Sequence, residues 1–369
     1  MRIATVLTSL GIGGAEKQAL AIAERMAARD HEVVVVALMP QLAEEWPTRL
    51  PVTHLDIRRS SSSVTAGFLR GRRLLRKFQP DVLHSHSFHA NLLTRLLAAG
   101  LRRAAVISTV HNVYEGGRLR MAAYRLTDCR SRNTVAVSRA AAERFVRLKA
   151  IPADKCLVRT NGIDTAEFAP DAARRAETRQ AMGVGSAFVW LSAGRVTPAK
   201  DFPNLISAFQ LLRGEAPEAE LWIAGAASDA AEFPAGAGEN AHVRRLGLRR
   251  DLVALMDAAD GFALGSAWEG MPLVIGEAMA MEKPVAATDA GGVRELMGDA
   301  GSVVPTKDPR ALAGAMLAVM RRSREERAIA GRAARERILR EFSIDAAADW
   351  WEQLYRKLAG DQCRGVNGH

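Results

Sequence analysis

The feature that most restricts the fold is an alternation. Short apolar runs (RIATVLTSL, HEVVVVAL, VTHLDI, DVLHSH, AVISTV, NTVAVS) are separated by segments of helical periodicity at Ala15 to Arg29, Val64 to Phe78, Phe88 to Ala99 and Arg139 to Lys149. Strands apolar on both faces and interleaved with helices predict an α/β architecture, a parallel sheet covered on both sides. After the turn signal NGID at Asn161 a second series begins: FVWLSAG, Asn204 to Arg213, ELWIAG, HVRRLG, Asp251 to Ala258, GFALGS, Pro272 to Met281, PVAATD and GSVVP. A chain of 369 residues is too long for one ordinary core, so two domains are expected, 1–162 and 163–344. The tail from Asp308 to Leu358 is helical by pattern. Trp350, Trp351, Leu354 and Tyr355 give its last helix, within 345–369, an apolar face expected to pack back on the first domain.

No run of 18 uncharged apolar residues occurs, which argues against a membrane-spanning helix. The opening MRIATVLTSLGIGG reads as a first strand, not as a signal peptide. Cys129, Cys156 and Cys363 form neither a CxxC pair nor an even disulfide framework, which suits a reducing compartment. A cytoplasmic location is therefore expected. Charge is uneven along the chain: residues 1 to 150 carry 24 Lys and Arg against 11 Asp and Glu, whereas the remainder carries 27 against 30. The basic half suggests a nucleic acid, an anionic membrane surface or a phosphorylated ligand as partner.

GIGGAE (Gly11 to Glu16) follows the first strand and opens the first helix. Its glycines allow a close backbone approach, and the helix start offers amides to an anion; a tight turn explains them equally well. It is not the GxGxxG dinucleotide fingerprint. In DVLHSHSFHAN, period 2 puts His84 and His86 on one face, with His89 beyond. No Cys lies within the motif and its one carboxylate, Asp81, stands at the start of the run, so a polar lining of the sheet's carboxyl edge is expected rather than a metal site. His111, in STVHN, ends the next strand, where open α/β sheets bind ligands.

In the second series GRVTPAKDFPNLISAF places Arg195 and Lys200 between a strand and a helix capped near Asp201. Two cations beside helix-end amides are suited to a diphosphate. EGMPLVIGE carries Glu269 and Glu277 around a helix start at Pro272, which frees the amides of Leu273 and Val274 for an anion. Eight residues of helix span about 12 Å, so the two carboxylates are expected to face different parts of one ligand. The alternative is that Glu269 complements the helix dipole and Glu277 is an exposed helix residue. The small, apolar AMAM after Glu277 favours a packed helix instead.

EGMPLVIGEAMAMEKPVAATDAGGVRE, with its paired glutamates, resembles the signature of the retaining GT-B glycosyltransferases of the large fourth family. GIGGAE, TVHN, VAVS, NGID, GRVTPAK, LWIAGA and RRLGLRRDLVALMDAAD occur in the family's order, so the resemblance covers nearly the whole chain. It implies two Rossmann-like domains with parallel sheets facing across a cleft, the first holding the acceptor and the second a nucleotide sugar. By position it assigns Arg195 and Lys200 to the diphosphate, Glu277 to the ribose hydroxyls, and Leu246 and Gly247 to the base. Glu269 and the backbone of Gly270, Met271, Leu273 and Val274 would meet the donor sugar and phosphates. His111 would sit beside the transferred sugar, and Gly13 and Gly14 would approach the phosphates. Two departures stand out: Asp201 replaces the family's usual glycine, and AGAAS lacks the usual glycine and proline. The implied chemistry is transfer from a UDP- or GDP-sugar with the anomeric configuration kept. No cofactor is expected, since there is no DxD motif to carry a metal and Arg195 with Lys200 can replace one.

VTAGFLRGRRLLRKF places Arg70, Arg72, Arg73, Arg76 and Lys77 on one helix face, opposite Val64, Phe68, Leu74, Leu75 and Phe78. This basic amphipathic helix is expected to dock on an anionic leaflet; an ordinary solvated face is the alternative. HSHSFHANLL, with His86, and HNVYEGGRLRMAAYRLTD also resemble enzymes that extend lipid-linked glycans, which implies a glycan or lipid-linked acceptor in cell-surface polysaccharide or glycoconjugate assembly. Two competing readings exist. A sugar-nucleotide epimerase would alter the donor without an acceptor. A non-catalytic nucleotide- or nucleic-acid-binding module would use the basic half alone, but aromatics make up only 5% of the chain and no stacking platform accompanies the charge, so no nucleic-acid partner is expected.

Overall fold

The computed structural model describes residues 1–101, 103–225 and 242–366, with side chains described as far as residue 360. The chain divides into two compact units, Met1–Gly162 with the returning segment from Ile344, and Ile163–Ser343.

The first unit comprises β1 (Arg2–Leu7), α1 (Gly14–Ala27), β2 (Glu32–Ala37), β3 (Val52–His54), α2 (Ser61–Phe78), β4 (Val82–His86), α3 (Phe88–Leu97), β5 (Ala105–Val110), α4 (Arg118–Thr127), β6 (Asn133–Ala136), α5 (Arg139–Arg147) and β7 (Cys156–Val158). All seven strands are parallel, in the order β3-β2-β1-β4-β5-β6-β7. The double burial expected from the apolar runs is visible residue by residue. Ile3, Val82 and Ile107 pack on one face with Ile22 and Met26 of α1, whereas Ala4, Leu83 and Val106 pack on the other with Leu75 of α2 and Leu97 of α3. The last helix of the described chain, α13 (Ile344–Val366), covers the α1 face with Trp351, Leu354 and Tyr355.

Helix α2 begins at Ser61 rather than Val64, because the Ser60 side chain accepts from the Ser63 amide at 3.3 Å. Its buried spine is Gly67, Gly71 and Leu75; Val64, expected on that spine, is 44% exposed.

The second unit contains α6 (Ala172–Ala181), β8 (Val189–Ala193), α7 (Phe202–Arg213), β9 (Glu220–Ala224), β10 (Val243–Gly247), α8 (Leu252–Ala258), β11 (Gly261–Leu264), α9 (Leu273–Ala280), β12 (Val285–Thr288), α10 (Val293–Met297), β13 (Ser302–Val304), α11 (Pro309–Arg321) and α12 (Arg324–Glu341). Its six-stranded parallel sheet runs β10-β9-β8-β11-β12-β13. The long helical tail is thus three helices. A capping box, Ser323 with Glu326, starts α12, and the unit closes where the Ile163 amide donates to the Phe342 carbonyl at 2.8 Å. Trp190, Leu205, Phe209, Leu312 and Met316 form its core between the sheet and α7 with α11.

Candidate active site

In the second unit, successive strands run outward from β8 and β11 in opposite directions, so the carboxyl ends of these two neighbours are the switch point where open α/β sheets take ligands. Lys200 lies on the loop after β8 and Glu269 on the loop after β11, and Lys200 Nζ stands 2.7 Å from Glu269 Oε1. The same carboxylate oxygen accepts from Ser266 Oγ at 2.7 Å, and the Ser266 carbonyl accepts from Thr288 Oγ1 at 2.6 Å. The two loops are also joined directly, the Ala267 amide donating to the Ala199 carbonyl at 2.8 Å.

Close backbone approach makes this junction possible. A Cβ on Gly225, after β9, would lie 1.9 Å from the Gly194 carbonyl oxygen, and one on Gly194 would lie 2.9 Å from Lys200 Cε. The lysine stem therefore rests where glycine leaves room for it. Asp201 adopts the left-handed conformation, φ 43°, that a glycine would take there without strain, and its carboxylate caps α7 through the Asn204 amide at 3.3 Å. The substitution at this position thus preserves the turn. The second departure falls at AGAAS, of which Ala226 to Ser228 lie outside the described residues.

Helix α9 starts at Leu273 with Pro272 as its N-cap, one residue earlier than a proline inside the first turn would sit, and no side chain caps it. The first amides of a helix have no intrahelical partner, so those of Leu273 and Val274 belong to the anion-attracting end. Met271 and Gly270 precede it, both buried, and the Gly270 carbonyl accepts from the Gly292 amide at 2.9 Å. Glu277 is buried within α9, which removes the reading of an exposed helix residue. Arg195 is exposed after β8, and no ion pair engages it among the described residues. Leu246 and Gly247 end β10, where a register shift and a left-handed Gly247 (φ 63°) place the Gly247 carbonyl 2.7 Å from the Gly225 amide.

In the first unit the switch point lies between β1 and β4. Gly13 is the N-cap of α1 and Gly14 its first residue; the Gly13 carbonyl accepts from Trp46 Nε1 at 3.0 Å. His86 is the last residue of β4, and Ser87 beyond it holds φ 69°, ψ 163°, a region that strains a side chain. His86 Nδ1 and His111 Nε2 are 3.0 Å apart, one ring donating to the other. His86 Nε2 is buried without a hydrogen-bond partner among the described residues. His84 shares the strand face as expected, 4.0 Å from His86 between ring centroids, but is a packing residue held by Thr109 Oγ1 at 2.7 Å and Tyr355 OH at 2.6 Å. Burial lowers all three rings, His84 to about 3, His111 to about 4 and His86 well below the usual value, so they are neutral at pH 7. Among the described residues no group of three or more His, Cys, Asp or Glu is placed to hold a metal. His89 is exposed, away from this line.

One residue of this edge escaped sequence reasoning. Glu115 accepts from the His111 amide at 3.0 Å through Oε1 and from Tyr124 OH at 2.6 Å through Oε2. Burial lifts its carboxyl to about 7. Asn91 continues the network, donating from Nδ2 to Tyr124 OH at 3.0 Å and to the Thr109 carbonyl at 2.9 Å. The only signal was the presence of an acid in an otherwise basic segment.

On α2 the five expected cations separate. Arg73, Arg76 and Lys77 are exposed, Arg72 is half-buried, and Arg70 is engaged by Asp56.

The sequence model of Glycosyltransferase Family 4 matches residues 12–167, and that of Glycosyl transferases group 1 matches residues 187–322. The chain is 30% identical over 289 residues to D-inositol 3-phosphate glycosyltransferase of Xylanimonas cellulosilytica, covering 69% of this chain and 67% of that one. It is 25% identical over 235 residues to UDP-Gal:alpha-D-GlcNAc-diphosphoundecaprenol alpha-1,3-galactosyltransferase of Escherichia coli, and spans 60% of the length of that protein. The fold is that of Anabaena HepE in complex with UDP-glucose, with a TM-score of 0.84 at 20% identity over 97% of this chain and 100% of the other. With two parallel-sheet Rossmann-like units of GT-B type and both halves matched in order, the chain belongs to glycosyltransferase family 4, the group 1 glycosyl transferases.

Proposed function

We propose that the chain transfers a sugar from a UDP- or GDP-sugar to a hydroxyl of a glycan acceptor carried on a lipid, with the anomeric configuration retained. The observation that carries this reading is the junction of Lys200, Glu269 and the start of α9 at the switch point of the second unit. A cation and unpaired amides fixed at one edge stabilise charge as it develops on a departing diphosphate. In the reaction the bond from the anomeric carbon to the diphosphate oxygen breaks, and the acceptor oxygen bonds that carbon on the same face. The acceptor's proton passes to the departing phosphate.

Lys200 and Arg195 hold the diphosphate, with the amides of Leu273 and Val274 behind them and the backbone of Gly270 and Met271 beside the sugar. Glu269, released from Lys200 as the anion binds, accepts from sugar hydroxyls; Glu277 holds the ribose, and Leu246 with Gly247 borders the base. In the first unit His111 and the His86 bonded to it, with Gly13 and Gly14, form the candidate sugar-binding edge. No metal is required in this scheme, because Lys200 and Arg195 carry the compensating charge. The lipid-linked acceptor is proposed by analogy with the diphosphoundecaprenol-bound sugar named for the Escherichia coli relative, and peripheral attachment to the inner face of the membrane goes with it.

The test is a thermal-shift panel of UDP, GDP and their sugars, since a ligand that binds only the folded state raises its stability. A rise of several degrees with one nucleotide class, lost in K200A, is expected; no response to any nucleotide at saturating concentration refutes the reading. Proton NMR of the transfer product then reports the anomeric configuration.

A further inference from the structure

Helices α2, α3 and α4 lie side by side on one face of the first sheet, as right-handed crossovers from β3 through to β6 require, with α2 against α3 and α3 against α4. The outer surface of this layer is unusual at α4. Leu119 is 89% exposed and Leu126 79% exposed, and Ala122 between them is also exposed. At 100° per residue the three fall within an arc of about 60°. On the neighbouring helices Leu96 of α3 is 50% and Leu69 of α2 57% exposed. Folding gains nothing from leucines in this position, and two almost wholly exposed ones on one helix face mark a surface that meets something else.

The charge around them says what. Arg118, Arg125, Arg130 and Arg132 are exposed, and no ion pair engages any of them among the described residues. The acids nearby do not offset them: Asp128 is buried against Lys155 at 2.9 Å, and Glu115 is turned inward to Tyr124. Across the layer, Arg73, Arg76 and Lys77 of α2 repeat the sign. A second copy of this chain would bring like charges together. An anionic leaflet satisfies both features, headgroups meeting the arginines and acyl chains the leucines.

We propose that α4 is the element by which the first unit enters an anionic lipid leaflet, Leu119, Ala122 and Leu126 passing below the headgroups while Arg118, Arg125 and Arg130 hold phosphates. This rests on the reading of a lipid-linked acceptor but moves the contact from α2, whose cations then act only as long-range attraction. The α4 helix starts seven residues after His111, so docking holds the candidate acceptor edge near the membrane surface.

The test is vesicle flotation of the full chain at low salt, with phosphatidylcholine alone and with phosphatidylglycerol added. Wild type is expected to float only with the anionic lipid. L119E/L126E is expected to lose at least tenfold in binding while keeping its melting temperature and its nucleotide response, and L339E, an exposed leucine of the other unit, to change nothing. L119W is expected to shift its fluorescence to the blue and to be quenched by brominated lipid. Equal binding by L119E/L126E, or loss only in R73Q/R76Q/K77Q, overturns the assignment to α4. A lipid-free dimer that L119E/L126E dissociates overturns the leaflet as occupant. Failure of wild type to bind any vesicle overturns docking altogether, whereas the glycosyltransferase reading stands or falls separately on the nucleotide response.

Discussion

Lys200 Nζ and Glu269 Oε1 meet at 2.7 Å although 69 residues separate them in the chain. The pair exists because β8 and β11 are neighbours, and it stores a cation beside the α9 amides with its charge already balanced. Removing one partner strands the other. K200M is expected to cost about 1–3 kcal/mol of stability and to lower transfer by at least about 100-fold. The double variant K200M/E269Q restores most of the melting temperature without restoring transfer. Calorimetry with a transfer assay checks both; recovery of transfer in the double variant would show the pair to be structural only.

The contact of Gly225 with Gly194 gives a second expectation. A methyl group at 225 meets the Gly194 carbonyl head-on, so G225A must push apart the ends of β8 and β9. A loss of about 1–3 kcal/mol and a weaker nucleotide-induced thermal shift are expected, measured by denaturant titration and differential scanning fluorimetry. G185A, where a Cβ meets nothing within 4 Å, is the control.

Glu115 makes stability depend on pH in an uncommon direction. Burial raises its carboxyl from 4.5 to about 7, so between these values the folded state binds the extra proton. Stability from this group therefore falls as pH rises from 4.5 through 7 and is level beyond. The melting temperature of wild type minus that of E115Q should be more positive at pH 5 than at pH 8, by about a few degrees. An unchanged difference would place the titration elsewhere. Because Glu115 also holds the His111 amide, the variant should raise KM for the acceptor or donor more than it perturbs the fold.

Glu352 titrates in the opposite sense. Arg29 first, then Arg356 and His31, hold its carboxyl down from 4.5 to about 2, with Arg29 Nη1 at 2.8 Å and His31 Nε2 at 3.1 Å. Its contribution is complete above 4.5 and is lost as pH falls through about 2. E352Q should loosen α13 from α1 by about 1 kcal/mol at pH 7, with faster amide exchange around Trp351. The difference from wild type should vanish toward pH 2.

Much of the fold is legible in the sequence because the central strands are apolar on both faces, as Ile3 with Ala4 and Val82 with Leu83 illustrate. The start of α2 is less so: an apolar pattern points to Val64, while the serine that sets the end, Ser60, lies in a run of serines any of which could cap. The amphipathic reading of α2 put Arg70 and Arg72 among its free cations; a partner from the β3 loop, Asp56, and packing at Arg72 take them out. Individual site residues are legible by motif, but their pairing is not. Lys200 with Glu269, and His111 with Glu115 and Tyr124, depend on which strands and helices become neighbours, and the exposure of Leu119 and Leu126 is invisible in a pattern that reads simply as helix.

The return of α13 to the first sheet has a consequence for biosynthesis. The second unit is one uninterrupted stretch, whereas the first waits for Trp351 and Tyr355 to cover His84. A nascent chain that has emerged from the ribosome through Ser343 thus carries one finished lobe and one with an open apolar flank at Ile22 and Met26. Premature termination between Ser343 and Tyr355 would release a protein with its second unit intact and its first a target for chaperones and proteases.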